Sequence, residues 1–387
     1  MSVRKIDVWH AAGLIDDETR ARLVAYEDEN ARPLALWAVF GIGALAIGLG
    51  LISVVAANWD DIPGQIRLAV HFALIVGALG ALFLRGEGLS KGNPWAVEAL
   101  LFVAAALGLT FFGHLGQVYQ TSAPLWEPLA IWLLLFGPLL LLMGRSWLTA
   151  AVLVGGAIYC VWEYSYAQDD LVIRMEDEAP PYVWMALVTA LPVLFAPVGA
   201  WLRQRGDRAD FWRRIEQLGL AYAVVGGSAF CALASVGAFD STEPVIGAAS
   251  QFTRAAVAVF AGILVVAVRR NFSGQMSGAI IMGSGLAIAL AFGANDIDIL
   301  AAILFMALWV GIAAAAIYAG WRGVFQLAVA VIALRLIILS FELASDLLLS
   351  GFGLIVSGIL ILAIAWIAVR VSRKFAPVDA AEEESRQ

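Results

Sequence analysis

The sequence predicts an all-α fold: a polytopic integral membrane helix bundle of about twelve transmembrane helices. Three observations predict it. Of 387 residues, 62% are hydrophobic and only 14% charged, against roughly 45–50% apolar and about 25% charged in soluble domains. Mean hydropathy is +0.86. Long apolar runs recur along the chain, without the strict alternation of a membrane barrel.

The first 33 residues are polar. In "WHAAGLIDDETRARLVAYEDENARP" two short helices are expected, with Gly13 ending the first and Asp16 capping the second. Asp17 and Glu18 fall at the positive end of that second helix, and Leu23 and Tyr26 give it a thin apolar stripe. The first apolar run is too long for the core of a signal peptide and is taken as the first span.

A span needs about 20 apolar residues to cross about 30 Å of hydrocarbon. Twelve runs qualify: 34–57, 66–84, 95–113, 125–143, 146–163, 181–202, 215–239, 251–268, 275–293, 297–319, 322–341 and 347–369. They divide the chain into a cytoplasmic N-terminal helical segment (1–33), a first six-helix half (34–202), a basic cytoplasmic linker (203–214), a second six-helix half (215–369) and a disordered cytoplasmic tail (370–387).

Orientation follows from the basic residues. With the N-terminus inside, 20 of the 24 lysines and arginines fall in inside segments. Arg174 is outside, while Arg67, Arg254 and Arg335 lie within spans. Both termini are then cytoplasmic. The acids show no such bias. The outer face is therefore acidic and expected to attract cations. The overall charge of −7 argues against a nucleic-acid partner.

Landmarks recur between the halves: "GQIRLAV" and "SQFTRAAV", "LTFFG" and "LAFG", "GRSW" and "AGWR", then Glu163 and Glu342. A parallel six-plus-six repeat is expected from them, an arrangement that transporters use with a site at the repeat interface. Small residues at Ala44 and Gly48, Ala46 and Gly50, and Gly274 and Gly278 are expected to let helices approach closely. Cys160 and Cys231 lie in apolar runs and read as small buried residues.

Three stretches, "WHAAGLIDDETRARLVAYE", "GIGALAIGLGLISVVAANWDDIP" and "HLGQVYQTSAPLW", together resemble a bacterial family of predicted multi-pass membrane proteins, domain of unknown function 2157. The likeness is best over roughly the first 150 residues. The ending "LRLIILSFELASDLLLSGFGLIVSGILILAIAW" resembles the C-terminal part of the same and related families. The resemblance implies an inner-membrane protein and, as a partner, a small membrane-anchored protein with a GDY-type motif. It supplies no catalytic or binding residues.

Charged residues in a span are costly and usually face the bundle interior. Here they gather towards the outer ends. Arg67 and His71 share one face of the second span, Arg254 opens the eighth, and Arg335 and Glu342 lie on one stripe of the eleventh. Glu163 ends the fifth. The stretch "HLGQVYQ", read as an outer loop, adds His114, Gln117 and Tyr119. A structural bend of Asn58, Trp59, Asp60, Asp61 and Pro63 precedes the second span.

Two readings stay open. In one, the arginines snorkel or form structural ion pairs with carboxylates at that depth. In the other, they line an outward-open site for a small polar or amphiphilic solute, contacting a carboxylate or phosphate, while His71 or the acids handle protons. Glu98 is expected at the cytoplasmic interface. No ligand spacing indicates a metal, and no cofactor or catalytic motif is found. The expected function is of secondary-transporter type. The alternatives are a non-transporting subunit that anchors an envelope partner, and an intramembrane transferase acting on lipid-linked substrates.

Overall fold

The computed structural model describes residues 6, 9–29, 46, 62–92, 94–172, 180–206, 208–237, 247–294, 298–343 and 351–375. By contact the chain forms two units, Met1–Ala69 and Val70–Gln387. The expected first span, 34–57, lies outside the described residues apart from Ala46.

In the first unit, a short turn of helix ends at Gly13, whose φ of 69° is the left-handed conformation that glycine adopts without strain. The Gly13 and Leu14 N–H groups close the end on the His10 and Trp9 carbonyls, at 2.9 and 3.0 Å. Asp16 then caps helix α1 (Asp17–Glu29), its carboxylate accepting the Thr19 N–H at 2.8 Å. Further along, Pro63 opens α2 (Gly64–Gly92) by accepting the N–H groups of Ile66 and Arg67.

The rest is helical: α3 (Pro94–Tyr119), α4 (Trp126–Met143), α5 (Trp147–Val172), α6 (Pro180–Ala190), α7 (Phe195–Arg205), α8 (Ala209–Ala234), α9 (Ala248–Val268), α10 (Phe272–Gly293), α11 (Asp298–Tyr318), α12 (Arg322–Leu343) and α13 (Gly351–Phe375). A 3₁₀ turn, Leu191–Leu194, joins α6 to α7 within one span. Among the described residues, ten helical stretches are long and apolar enough to cross a membrane. Their outer faces are apolar: Phe83 is 89% and Leu134 75% exposed, a surface suited to lipid and not to water. The protein is an all-α, multi-pass membrane bundle in contact with the bilayer.

Glycine lets the central helices meet backbone to backbone. A Cβ on Gly278 of α10 would stand 2.7 Å from the Gly262 carbonyl of α9, and one on Gly227 of α8 would stand 2.8 Å from the Ser284 carbonyl of α10. The expected close packing is thus present at Gly278, whereas a Cβ on Gly274 would meet Arg269, just past the end of α9, and the Asn271 cap. On its other side α8 sends Phe211 and Ile215 into a core with Trp132, Phe136 and Leu140 of α4 and Leu153 of α5. Trp132 fixes α3 there by donating its indole N–H to the Ala105 carbonyl at 2.8 Å.

One end of the second unit is stitched through two buried carboxylates. Glu98 of α3 accepts the Arg145 N–H at 2.5 Å and the Thr149 hydroxyl at 2.9 Å, at the start of α5. Ser146 caps the same helix by accepting the Thr149 N–H. Glu98 is only 7% exposed, and its carboxylate meets backbone and hydroxyl donors that water would otherwise supply. Arg208 donates to the Gly144 and Leu141 carbonyls at 2.9 and 2.5 Å, capping α4. Burial, then the nearby Arg145 charge, hold its guanidinium below the usual arginine value. Glu216 of α8, 3% exposed, pairs with Arg269 and, at 3.4 Å, with Arg203 of α7.

Candidate functional site

The opposite end holds a second set of polar residues carried by the spans. Among the described residues, the most buried span is the one formed by α6 and α7, with 61% of its apolar stretch buried against 50% or less in the others. It is also broken. Pro192 and Pro197 lack N–H groups, and the backbone between Leu191 and Leu194 tightens to 3₁₀ geometry. Pro192 and Val193 are buried inside the bundle.

A polar cluster meets this break. The Tyr222 hydroxyl of α8 donates to the Thr189 carbonyl at 2.5 Å and accepts the Trp162 indole N–H from α5 at 2.9 Å. The Thr189 hydroxyl donates back to the Met185 carbonyl. Arg254 of α9 donates to that hydroxyl at 3.5 Å and to the Gln251 amide oxygen at 3.3 Å. Its guanidinium also stands 5.4 Å over the Phe230 ring, a cation–π contact. Gln251 and Ser250 are each 1% exposed.

The other expected residues fall as follows. Arg335 of α12 is 6% exposed, donates to the Ser235 hydroxyl at 2.6 Å and lies 5.8 Å over Phe305. His71 and His114 meet, Nδ1 to Nδ1, at 3.1 Å. The stretch from His114 to Tyr119 is helix and not loop, because α3 continues until Gln120 turns at φ 53°. Gln117 and Tyr119 are exposed on its last turn, and the Gln117 carbonyl accepts the Gln120 side-chain amide. Glu163 is half-buried on α5. Arg67, in the first unit, donates to the Ile62 carbonyl at 2.7 Å. Glu342 is in the last turns of α12, with its side chain outside the described residues. Asn58, Trp59, Asp60 and Asp61 lie outside the described residues, and Pro63 is exposed at the start of α2.

Sequence reasoning found Arg254 but missed Thr189, Tyr222, Gln251 and Trp162. The signal was the stretch "TALPVLFAPVG", two prolines inside an apolar run, which marks a broken helix. Among the described residues, no group of three or more His, Cys, Asp or Glu is placed to hold a metal ion.

Fold and surface define a multi-pass helical membrane protein. A family model described as a predicted membrane protein (DUF2157) matches residues 7–149, from the N-terminal segment into the start of α5. No curated protein matches the chain, and no solved structure does. The Arg254 cluster lies beyond the matched residues.

Proposed function

We propose that this protein binds and moves a small polar or amphiphilic solute, in the manner of a secondary transporter, and that Arg254 holds the solute's carboxylate or phosphate group. One observation carries this: the break at Leu191–Leu194 in the most buried span, with Arg254, Thr189, Gln251 and Tyr222 gathered beside it. Transporters build their sites at discontinuous helices. Irregular backbone at membrane depth is tolerated where protein buries it or a cavity meets it. Arginine adds a planar fork that matches carboxylate and phosphate oxygens. The Thr189 hydroxyl and Gln251 amide are neutral partners that an anionic oxygen can replace. The distribution of basic residues supports cytoplasmic termini in a bacterial inner membrane, which turns the Arg254 end outward.

The test is thermal unfolding of the protein in lipid nanodiscs with acetate, lactate, glutamate, inorganic phosphate and glycerol 3-phosphate. At least one should raise the midpoint of the wild type and leave Arg254→Gln unmoved. Equal shifts in both proteins, or none in either, contradict the reading.

A further inference from the structure

The contact between His71 of α2 and His114 of α3 has a definite hydrogen-bond polarity. His71 Nε2 lies 3.0 Å from the Leu107 carbonyl oxygen, which can only accept. That nitrogen therefore carries a hydrogen. The Thr110 hydroxyl is 3.5 Å from the same nitrogen, and its own hydrogen goes to the Ala106 or Leu107 carbonyl at 2.9 or 3.2 Å. It too acts as an acceptor towards His71. In neutral His71 the lone pair is then on Nδ1. His114 must aim its Nδ1–H at that lone pair across 3.1 Å, which leaves the His114 lone pair on Nε2.

We propose that His71 and His114 form a proton-binding site that holds one extra proton between them and passes it from one helix to the other. A proton delivered to His114 Nε2, an atom buried in this structure, lets the Nδ1 hydrogen cross to His71 Nδ1. His71 is then the imidazolium, donating from both nitrogens, and His114 is neutral with its hydrogen on Nε2. One N–H bond forms at each ring and one breaks at His114, so the pair gains a single charge. Neither ring has to turn. A second extra proton would place N–H groups on both Nδ1 atoms, facing each other at the same separation. The pair must open to accept it, so the two protons enter in separate steps.

The surroundings suit a proton more than a metal or a large ligand. Phe111 stands edge-on to His71, ring centroids 5.4 Å apart. Among the described residues, the charged or titratable side chains at this end of the helices are Arg67, four residues before His71 on α2, and Tyr119 on the last turn of α3. Helices α4 and α5, packed on α3, add Glu127, Tyr159, Cys160, Glu163, Tyr164 and Tyr166. The site is separate from Arg254, so its failure would leave the solute-binding reading in place.

The chain has only three histidines, which makes the test direct. Full-length protein labelled with ¹⁵N-histidine, in lipid, is titrated from neutral to acidic pH by nuclear magnetic resonance. His10, which contacts Asp17, is identified by its loss in His10→Gln. The expected result is a His71 Nε2 that stays protonated throughout, and uptake by the pair in two steps at least about one pH unit apart. In His114→Phe, His71 should charge in one step. Should that variant fail to fold, the wild-type titration decides alone. Both rings charging together in one step, or His71 carrying its neutral-pH hydrogen on Nδ1, would overturn the proposal.

Discussion

The Tyr222 hydroxyl donates to the Thr189 carbonyl at 2.5 Å, two residues before the 3₁₀ turn begins at Leu191. In an unbroken α-helix that carbonyl would accept the Val193 N–H. A side chain from α8 reaches the break instead, and it does so beside the one arginine of α9 that lies within a span. Burial of a backbone carbonyl in hydrocarbon makes such a donor valuable.

Tyr222→Phe is therefore expected to destabilise the protein by about 1–3 kcal/mol, the cost of leaving buried polar groups unmet. It removes both the donor to Thr189 and the acceptor for Trp162. Reversible unfolding in mixed detergent micelles measures this. An unchanged midpoint would show that the helix break does not depend on Tyr222.

Glu216 joins α8 to Arg269 and Arg203 with almost no exposure. Glu216→Ala leaves Arg269 buried without this carboxylate, and a loss of about 3–5 kcal/mol is expected. Arg203→Ala should cost less, because that side chain is 30% exposed and Arg269 only 10%. The same unfolding assay ranks Glu216→Ala, Arg269→Ala and Arg203→Ala; a larger loss at Arg203 than at Arg269 would contradict the assignment.

The glycines separate into two classes. A Cβ at Gly199 would stand 2.5 Å from the Glu216 backbone nitrogen, whereas nothing lies within 4 Å of one at Gly283 or Gly311. Gly199→Ala should cost at least about 1–3 kcal/mol through overpacking. Gly283→Ala and Gly311→Ala should be neutral or slightly stabilising, as alanine favours helix. Equal effects at all three sites would refute the close approach of α7 and α8.

Asp16 titrates outside the membrane spans. Hydrogen bonds from the Thr19 hydroxyl and then the Thr19 N–H hold its carboxylate below the ordinary 3.8. A depressed acid stabilises its helix above the unfolded-state value and loses that contribution as pH falls through the lower, folded value. The Asp16 carboxyl ¹³C shift should thus titrate below 3.8. Asp16→Asn should keep the cap and remove its pH dependence. A midpoint at or above the ordinary value would mean that the cap does not form.

Much of the bundle was legible because crossing a bilayer demands long apolar runs. Each expected span after the first coincides with a described helix or helix pair. Their ends were not legible. Helix α3 runs on from 113 to Tyr119, and α5 from 163 to Val172, since backbone bonding persists where the side chains turn polar. Of the site, Arg254 stood out as a charge within apolar sequence, as Arg335, His71 and His114 did elsewhere in or beside the apolar runs. Thr189, Tyr222 and Gln251 did not, because a hydroxyl or amide in a long run carries no mark of its partner. Tyr222 and Arg254 meet Thr189 from 33 and 65 residues away. The partners of Glu98, Arg145 and Thr149, were hidden for the same reason: they belong to a joint that only the fold brings near.

The central claim is that solute reaches the break between α6 and α7, and the reactivity of a single cysteine tests it most directly. Thr189→Cys is placed in a Cys160→Ser, Cys231→Ala background, reconstituted in liposomes and exposed to a water-soluble anionic methanethiosulfonate. Thr189 is 4% exposed in this structure, so reaction requires a state in which water reaches it. The predicted result is modification that goes to completion and slows at least about tenfold when Arg254→Gln removes the positive charge. A Thr189→Cys protein that stays unmodified, while a cysteine at exposed Tyr166 reacts fully, would contradict a solute path through this site.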